Sequence, residues 1–152
     1  MPTKPNPVLA MLKDDHKKVK GLFEEYKDAN SRKQQEIADT VIHELEVHAA
    51  LEEELIYPAI REQIDEDNLM NEAIEEHHLV HVLIGELKKL DASDEIFTAK
   101  FTVLGELIKH HVKEEEGEMF PKAQKADIDW EALKAEVRER KEQLIAKLAA
   151  RS

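Results

Sequence analysis

Apolar residues recur along this chain at alternating intervals of three and four, the spacing that lines one face of an α-helix. The first stripe passes through Leu9, Leu12, His16, Val19, Phe23 and Tyr26, and the second through Ile37, Val41, Leu45, His48, Glu52 and Leu55. The third takes in Met70, Ile74, His77, His81 and Ile84; the fourth takes in Phe97, Phe101, Leu104, Ile108, His111 and Glu115. Boundary signals agree with four helices. Asn6-Pro7 reads as an N-cap followed by proline in the first turn, opening a helix to about Asp28. Ser31 with Gln34 three residues on is a capping-box pattern for the second helix, which Pro58 should kink or stop near Ile64. Asp65 to Asn68 and Asp91 to Asp94 are polar connections, and the fourth helix reaches Pro121. A further amphipathic stretch, Trp130 to Ala149, follows. The pattern predicts an all-α fold: an up-down-up-down four-helix bundle over residues 1–122. Residues 123–152 add a C-terminal helix that packs on the bundle or on a partner chain.

Every stripe carries histidine in its interior, and two also carry glutamate. A single inward histidine would be an ordinary hydrogen-bonded core residue. Here four helices aim such groups at one interior, where an unpaired carboxylate is costly. Three inward pairs, His48/Glu52, His77/His81 and His111/Glu115, sit four residues apart. That offset places two side chains about 40° apart around the helix and one turn apart along it, within reach of one ion. Imidazole and carboxylate together suit iron, manganese or zinc.

The chain also repeats itself. His48 and His111 are each followed by glutamate at +4 (Glu52, Glu115), an aromatic at +9 (Tyr57, Phe120) and proline at +10 (Pro58, Pro121). Upstream, Asp15-His16 and Glu76-His77 are matching acid–histidine pairs. Two such hairpins facing each other would enclose a pseudo-twofold site. The repeat aligns Glu52 with Glu115 as the inward carboxylates; Glu53 and Glu116, about 140° from their histidines, should face solvent. Glu114 lies four residues after His110 and permits a frame shifted by one, which both the stripe and the repeat disfavour. His43, His78 and His110 are off the stripes and are expected at the surface, while Tyr57 and Phe120 are expected to serve packing.

With this doubled pattern the sequence resembles the hemerythrin-like (HHE cation-binding) family over roughly Leu9 to Pro121. The resemblance implies seven ligands: His16, His48, Glu52, His77, His81, His111 and Glu115. It further implies two iron ions, one held by His77, His81 and His111, the other by His16 and His48, with Glu52 and Glu115 bridging. The second iron would keep an open position for dioxygen or nitric oxide. Glutamate at +4, where hemerythrins proper have aspartate at +5, is similar to the bacterial branch of the family. The spacing carries the same asymmetry, because Lys20 stands where the other hairpin has His81. Fewer ligands on one side leave room for a small molecule, as in reactive metal sites.

Composition narrows the remaining choices. With 152 residues the chain can bury a core, and with no cysteine it has neither disulfides nor thiolate ligands. A net charge of −12 opposes nucleic-acid binding, which needs clustered Lys and Arg. No apolar run approaches a membrane span, Met1 to Pro7 has no apolar signal core, and the expected location is the cytosol. The leading expectation is a binder or sensor of a diatomic ligand rather than an enzyme, working with a redox or signalling partner or as a homodimer. The second is a di-iron redox enzyme or iron-handling protein, acting on peroxide, nitric oxide or stored iron; lack of cysteine lowers iron–sulfur repair. A third is a metal-free helical interaction module whose inward histidines and glutamates pair among themselves.

Overall fold

The structure, a computed structural model, describes residues 6–151; residues 1–5 of the expected first domain, with most of the stretch expected to lack a signal core, and residue 152 of the expected C-terminal segment lie outside the described residues. α1 (Pro7–Lys27) and α2 (Ser31–Leu51) form the first pair, and α4 (Asp67–Leu87) and α5 (Glu95–Glu114) the second. α2 continues through a π-helical segment, Glu52–Ile56, into α3 (Tyr57–Gln63), and α5 through Glu115–Met119 into α6 (Phe120–Lys125). α7 (Trp130–Arg151) follows α6. These rods form the expected helical bundle with its C-terminal helix.

Asn6 caps α1 as expected, its side chain accepting from the backbone N–H groups of Val8 and Leu9. The capping box at Ser31 is not formed. Asn30 takes the N-cap in extended backbone and accepts from the N–H of Lys33 at 2.9 Å, so Ser31 already lies inside the helix. Gln34 instead donates to the Tyr26 carbonyl at 3.1 Å, tying the start of α2 to the end of α1.

The first rod ends at Gln63 with Ile64 as its C-cap, as expected, while the second runs past Pro121 to Lys125; neither proline itself breaks its helix. Each proline sits in the first turn after a π segment, where Tyr57 N–H bonds the Glu52 carbonyl and Phe120 N–H bonds that of Glu115. The widened turn absorbs a residue that lacks an amide hydrogen and would clash in a regular helix. It also advances the buried stripe by one position. After Glu52 the chain buries Ile56, Tyr57 and Ile60, leaving the expected Leu55 only partly covered. The second rod buries Met119, Phe120 and Ala123 after Glu115 in the same phase.

On α4 the buried line is Met70, Ala73, His77, Val80, Ile84 and Leu87, not the expected line through Ile74 and His81. Ile74 is 42% exposed and His81 is exposed. Both lines share Met70, His77 and Ile84, and helical spacing alone does not choose between their flanks. Packing chooses the flank bearing Ala73 and Val80, as it does on α1, where Val19 is buried and Lys20 exposed.

The apolar core is in two parts. One gathers Val19, Val41, Ile84, Phe97, Phe101 and Leu104. The other gathers Leu12, Leu51, Ile56, Met70, Met119 and Phe120, and onto it α7 lays Leu133, Val137 and Leu144. Burying side chains of this size stabilises the fold by about 1.5–3 kcal/mol each. α7 therefore covers its own bundle. Between the two parts the helices contribute His16, His48, Glu52, His77, His111 and Glu115, all 9% exposed or less.

A candidate metal centre between two apolar half-cores

These six side chains fall into two overlapping groups. His16, His48, Glu52 and Glu115 offer ligand atoms within 4.8 Å of one another, and so do Glu52, His77, His111 and Glu115. Both carboxylates belong to both groups. Glu52 Oε1 lies 3.2 Å from His48 Nε2 and 3.2 Å from His77 Nε2. Glu115 places Oε1 3.3 Å from His16 Nε2 and Oε2 3.0 Å from His111 Nε2. Two donors about 2.1 Å from one ion and roughly 90° apart lie about 3 Å from each other, so these separations suit coordination.

The polar satisfaction of the layer points the same way. His16 Nε2, His48 Nε2, both oxygens of Glu52 and Oε1 of Glu115 are buried without a hydrogen-bond partner. Orphaned buried groups of this kind cost about 1–3 kcal/mol each. Divalent cations would satisfy all five atoms, so the residues present fit a two-ion centre.

Each inward histidine is held from behind by a second carboxylate. His16 Nδ1 bonds Glu116 at 2.6 Å, His48 Nδ1 bonds Asp15 at 3.0 Å, His77 Nδ1 bonds Glu53 at 2.8 Å and His111 Nδ1 bonds Glu76 at 2.8 Å. The arrangement repeats between the hairpins: Asp15 and Glu76 hold the histidine of the next helix, and Glu53 and Glu116 each reach across to the first helix of the opposite pair. A proton kept at Nδ1 leaves Nε2 free to coordinate and fixes the ring's direction. Glu53 and Glu116, expected in solvent, thus turn inward at their tips while remaining partly exposed, as the wide π turn allows.

Electrostatics follow from this crowding. Burial would lower the pKa of His77 and His111, but the carboxylates of Glu52 and Glu53 beside the first, and of Glu115 and Glu76 beside the second, outweigh it and raise them to about 8 and about 10. His48 is likewise raised, the charge of Glu52 and the hydrogen bond to Asp15 overcoming burial. Glu53 is lowered to about 2, chiefly by its hydrogen bond to His77. Glu115 stays well below the usual carboxylate range despite burial, because the imidazoles of His111 and His16 lie beside its two oxygens. Without metal, protons favoured on His48, His77 and His111 offset the buried carboxylates.

Two residues depart from the sequence reading. His81 does not join the centre: its side chain is 45% exposed and its Nε2 bonds Glu53 at 2.8 Å. Tyr57, expected only to pack, brings its hydroxyl 3.3 Å from His77 Nε2 and 3.2 Å from His111 Nε2, and donates a short hydrogen bond to Glu115. Five residues after Glu52 an α-helix would turn it about 140° away; the π turn brings it inward. Its hydroxyl pKa is raised well above the phenol value by burial and by the charges of Glu52 and Glu115. Phe120 occupies the equivalent place in the other hairpin and stacks 6.2 Å from His16 with no polar atom. The sequence signals were present: the +9 position is Tyr in one repeat and Phe in the other, and each is followed by proline. Of the other histidines, His78 and His110 are exposed and His43 is half-buried.

A helical bundle whose interior polar layer can hold cations defines a cation-binding domain. A profile of the hemerythrin HHE cation-binding domain matches residues 8–123, and the chain belongs to that family. The crystal structure of a hemerythrin HHE cation binding domain-containing protein from Mycobacterium kansasii shares the fold, with a TM-score of 0.73 at 24% identity, over 91% of this chain and 89% of that one. A protein of Nostoc sp. named DNA nickase is 30% identical over 111 residues, 72% of this chain. The match spans 31% of that relative's length.

Proposed function

We propose that this domain holds two iron ions and binds dioxygen or nitric oxide at an open position on one of them. His77 and His111, joined by Tyr57, would serve the first ion, and His16 and His48 the second; Glu52 and Glu115 would be shared. The observation that carries the reading is the broken symmetry at +9, where Tyr57 offers an oxygen to one half and Phe120 an apolar wall to the other. The second ion would therefore have one protein donor fewer, on the side where orphaned imidazole nitrogens concentrate. Iron held there would supply electrons and a free coordination site for a diatomic molecule.

The chain's own residues do the rest. Asp15, Glu53, Glu76 and Glu116 hold protons at the four Nδ1 atoms and keep Nε2 directed inward. Tyr57 holds a proton on the Glu115 side of the layer. Leu12, Leu51, Leu104 and Phe120, each 1% exposed or less, keep bulk water from the interior. The nickase activity named for the Nostoc relative belongs to a protein mostly outside the match, and a net charge of −12 opposes a nucleic-acid backbone.

The test is metal content per chain after expression with iron, then optical spectra under nitrogen and in air. Close to two irons and a visible band that reverses on removing oxygen would support a carrier or sensor. Two irons with irreversible oxidation would favour the redox-enzyme or iron-handling alternative, and no bound metal would overturn the reading. Phe120→Tyr should slow or abolish the oxygen-dependent change while leaving iron content intact, since it carries an oxygen donor to the open side.

A further inference from the structure

The His110–Glu114 pair, left aside by the centre, lies outside it on α5 and meets Glu76 of α4. His110 Nε2 is 3.2 Å from Glu114 Oε1 and 3.5 Å from Glu76 Oε2, and donor atoms of all three residues lie within 4.8 Å of one another. The cluster opens on a surface groove of about 540 Å³ that Glu72 and Glu75 also line, with neither Lys nor Arg in its lining. Behind it lies a cavity of about 10 Å³, bordered by Glu76, Glu114, His111 and Glu115. Glu115 is 1% exposed and turns Oε2 toward His111 and Oε1 toward His16. Groove, cluster, inner cavity and centre thus share residues in series. Glu76 uses Oε2 toward His110 and Oε1 toward His111 Nδ1.

The internal repeat shows that this feature belongs to one hairpin. The positions matching His110 and Glu114 are Val47 and Leu51, buried in the half-core that α7 covers. One flank of the bundle is therefore apolar and sealed, and the other acidic and open. We propose that Glu76, His110 and Glu114 form a surface site for a divalent cation, which loads the buried centre through the inner cavity. One imidazole and two carboxylates on a groove open to solvent suit a partly hydrated ion. Carboxylates lining a cleft raise the local concentration of cations and their rate of capture. The loading role rests on the two-iron reading above; the surface site does not.

Equilibrium dialysis with Mn²⁺ compares the wild-type chain with the double variant His110→Ala/Glu114→Gln, both positions lying outside the packed core. Wild type should bind one more ion per chain than the variant. Loading of limiting Fe²⁺ under nitrogen, followed by optical absorbance after an air pulse, should be about tenfold slower in the variant, the low end for electrostatic capture. Its final iron content should be unchanged. Equal Mn²⁺ counts in the two proteins would overturn the surface site. A difference of one ion with equal loading rates would overturn the loading role. A variant that loses its last ion and retains none would leave the surface site standing and defeat the buried centre.

Discussion

Glu52→Gln tests the sharing of the two carboxylates. Glu52 faces His48 in one donor group and His77 in the other, so loss of its charge should weaken both ions together. An ion that binds the folded state alone, at a free concentration a hundred times its dissociation constant, stabilises it by about 2.7 kcal/mol. Two such ions contribute about 5 kcal/mol, which for a chain of this size raises the melting temperature by about 10–20 °C. The assay is a circular-dichroism melt with and without Mn²⁺, or with Fe²⁺ under nitrogen. Glu52→Gln should lose most of that increment. His16→Ala, which removes a donor from one group only, should keep about half. The metal-free Gln variant should melt somewhat below metal-free wild type near neutral pH, because the charge of Glu52 helps hold protons on His48 and His77; the increments are therefore compared within each protein. A wild-type increment in Glu52→Gln, or one merely halved, would refute the shared-carboxylate geometry.

The metal-free protein should lose stability as pH rises. His77 and His111 are raised from 6.5 to about 8 and about 10, so their contribution is complete below about pH 6.5 and disappears through pH 8 and then 10. For His77 alone this is about 2 kcal/mol, and a melting temperature that is flat or rising between pH 6.5 and 9 would contradict it. Metal affinity should move the other way, strengthening with pH as ligands give up protons; dialysis at pH 6 and 8 reads this directly. His81→Ala should leave metal content unchanged, because that imidazole is 45% exposed and bonded to Glu53; loss of an ion on metal analysis would restore it as a ligand. Gly85→Ala should gain up to about 1 kcal/mol of helix stability, since a Cβ there meets nothing within 4 Å. Gly105→Ala should lack that gain in the same melts, because its Cβ would stand 3.0 Å from the Phe23 ring.

Periodicity and local chemistry, both written along the chain, determined the number of helices, their connections and the inward direction of His16, His48, His77 and His111. They also marked Glu52 and Glu115, because the repeat supplied an internal alignment. The limit of that reading appears at Ile74 and His81, where two flanks of one helix fit equally and packing against neighbours had to choose Ala73 and Val80. A second limit lies at Pro58 and Pro121. Proline announces a disturbed helix, but whether the chain kinks, stops or widens depends on what its surroundings stabilise. The two π turns brought Tyr57 to the centre and Glu53 and Glu116 to their histidines, a change of phase that regular 3.6-residue geometry does not contain. Asp15 and Glu76 stood beside histidines in sequence yet hold different histidines in space. Covalent order places neighbours on one helix, whereas hydrogen-bond partners are set by how separate helices come to face each other.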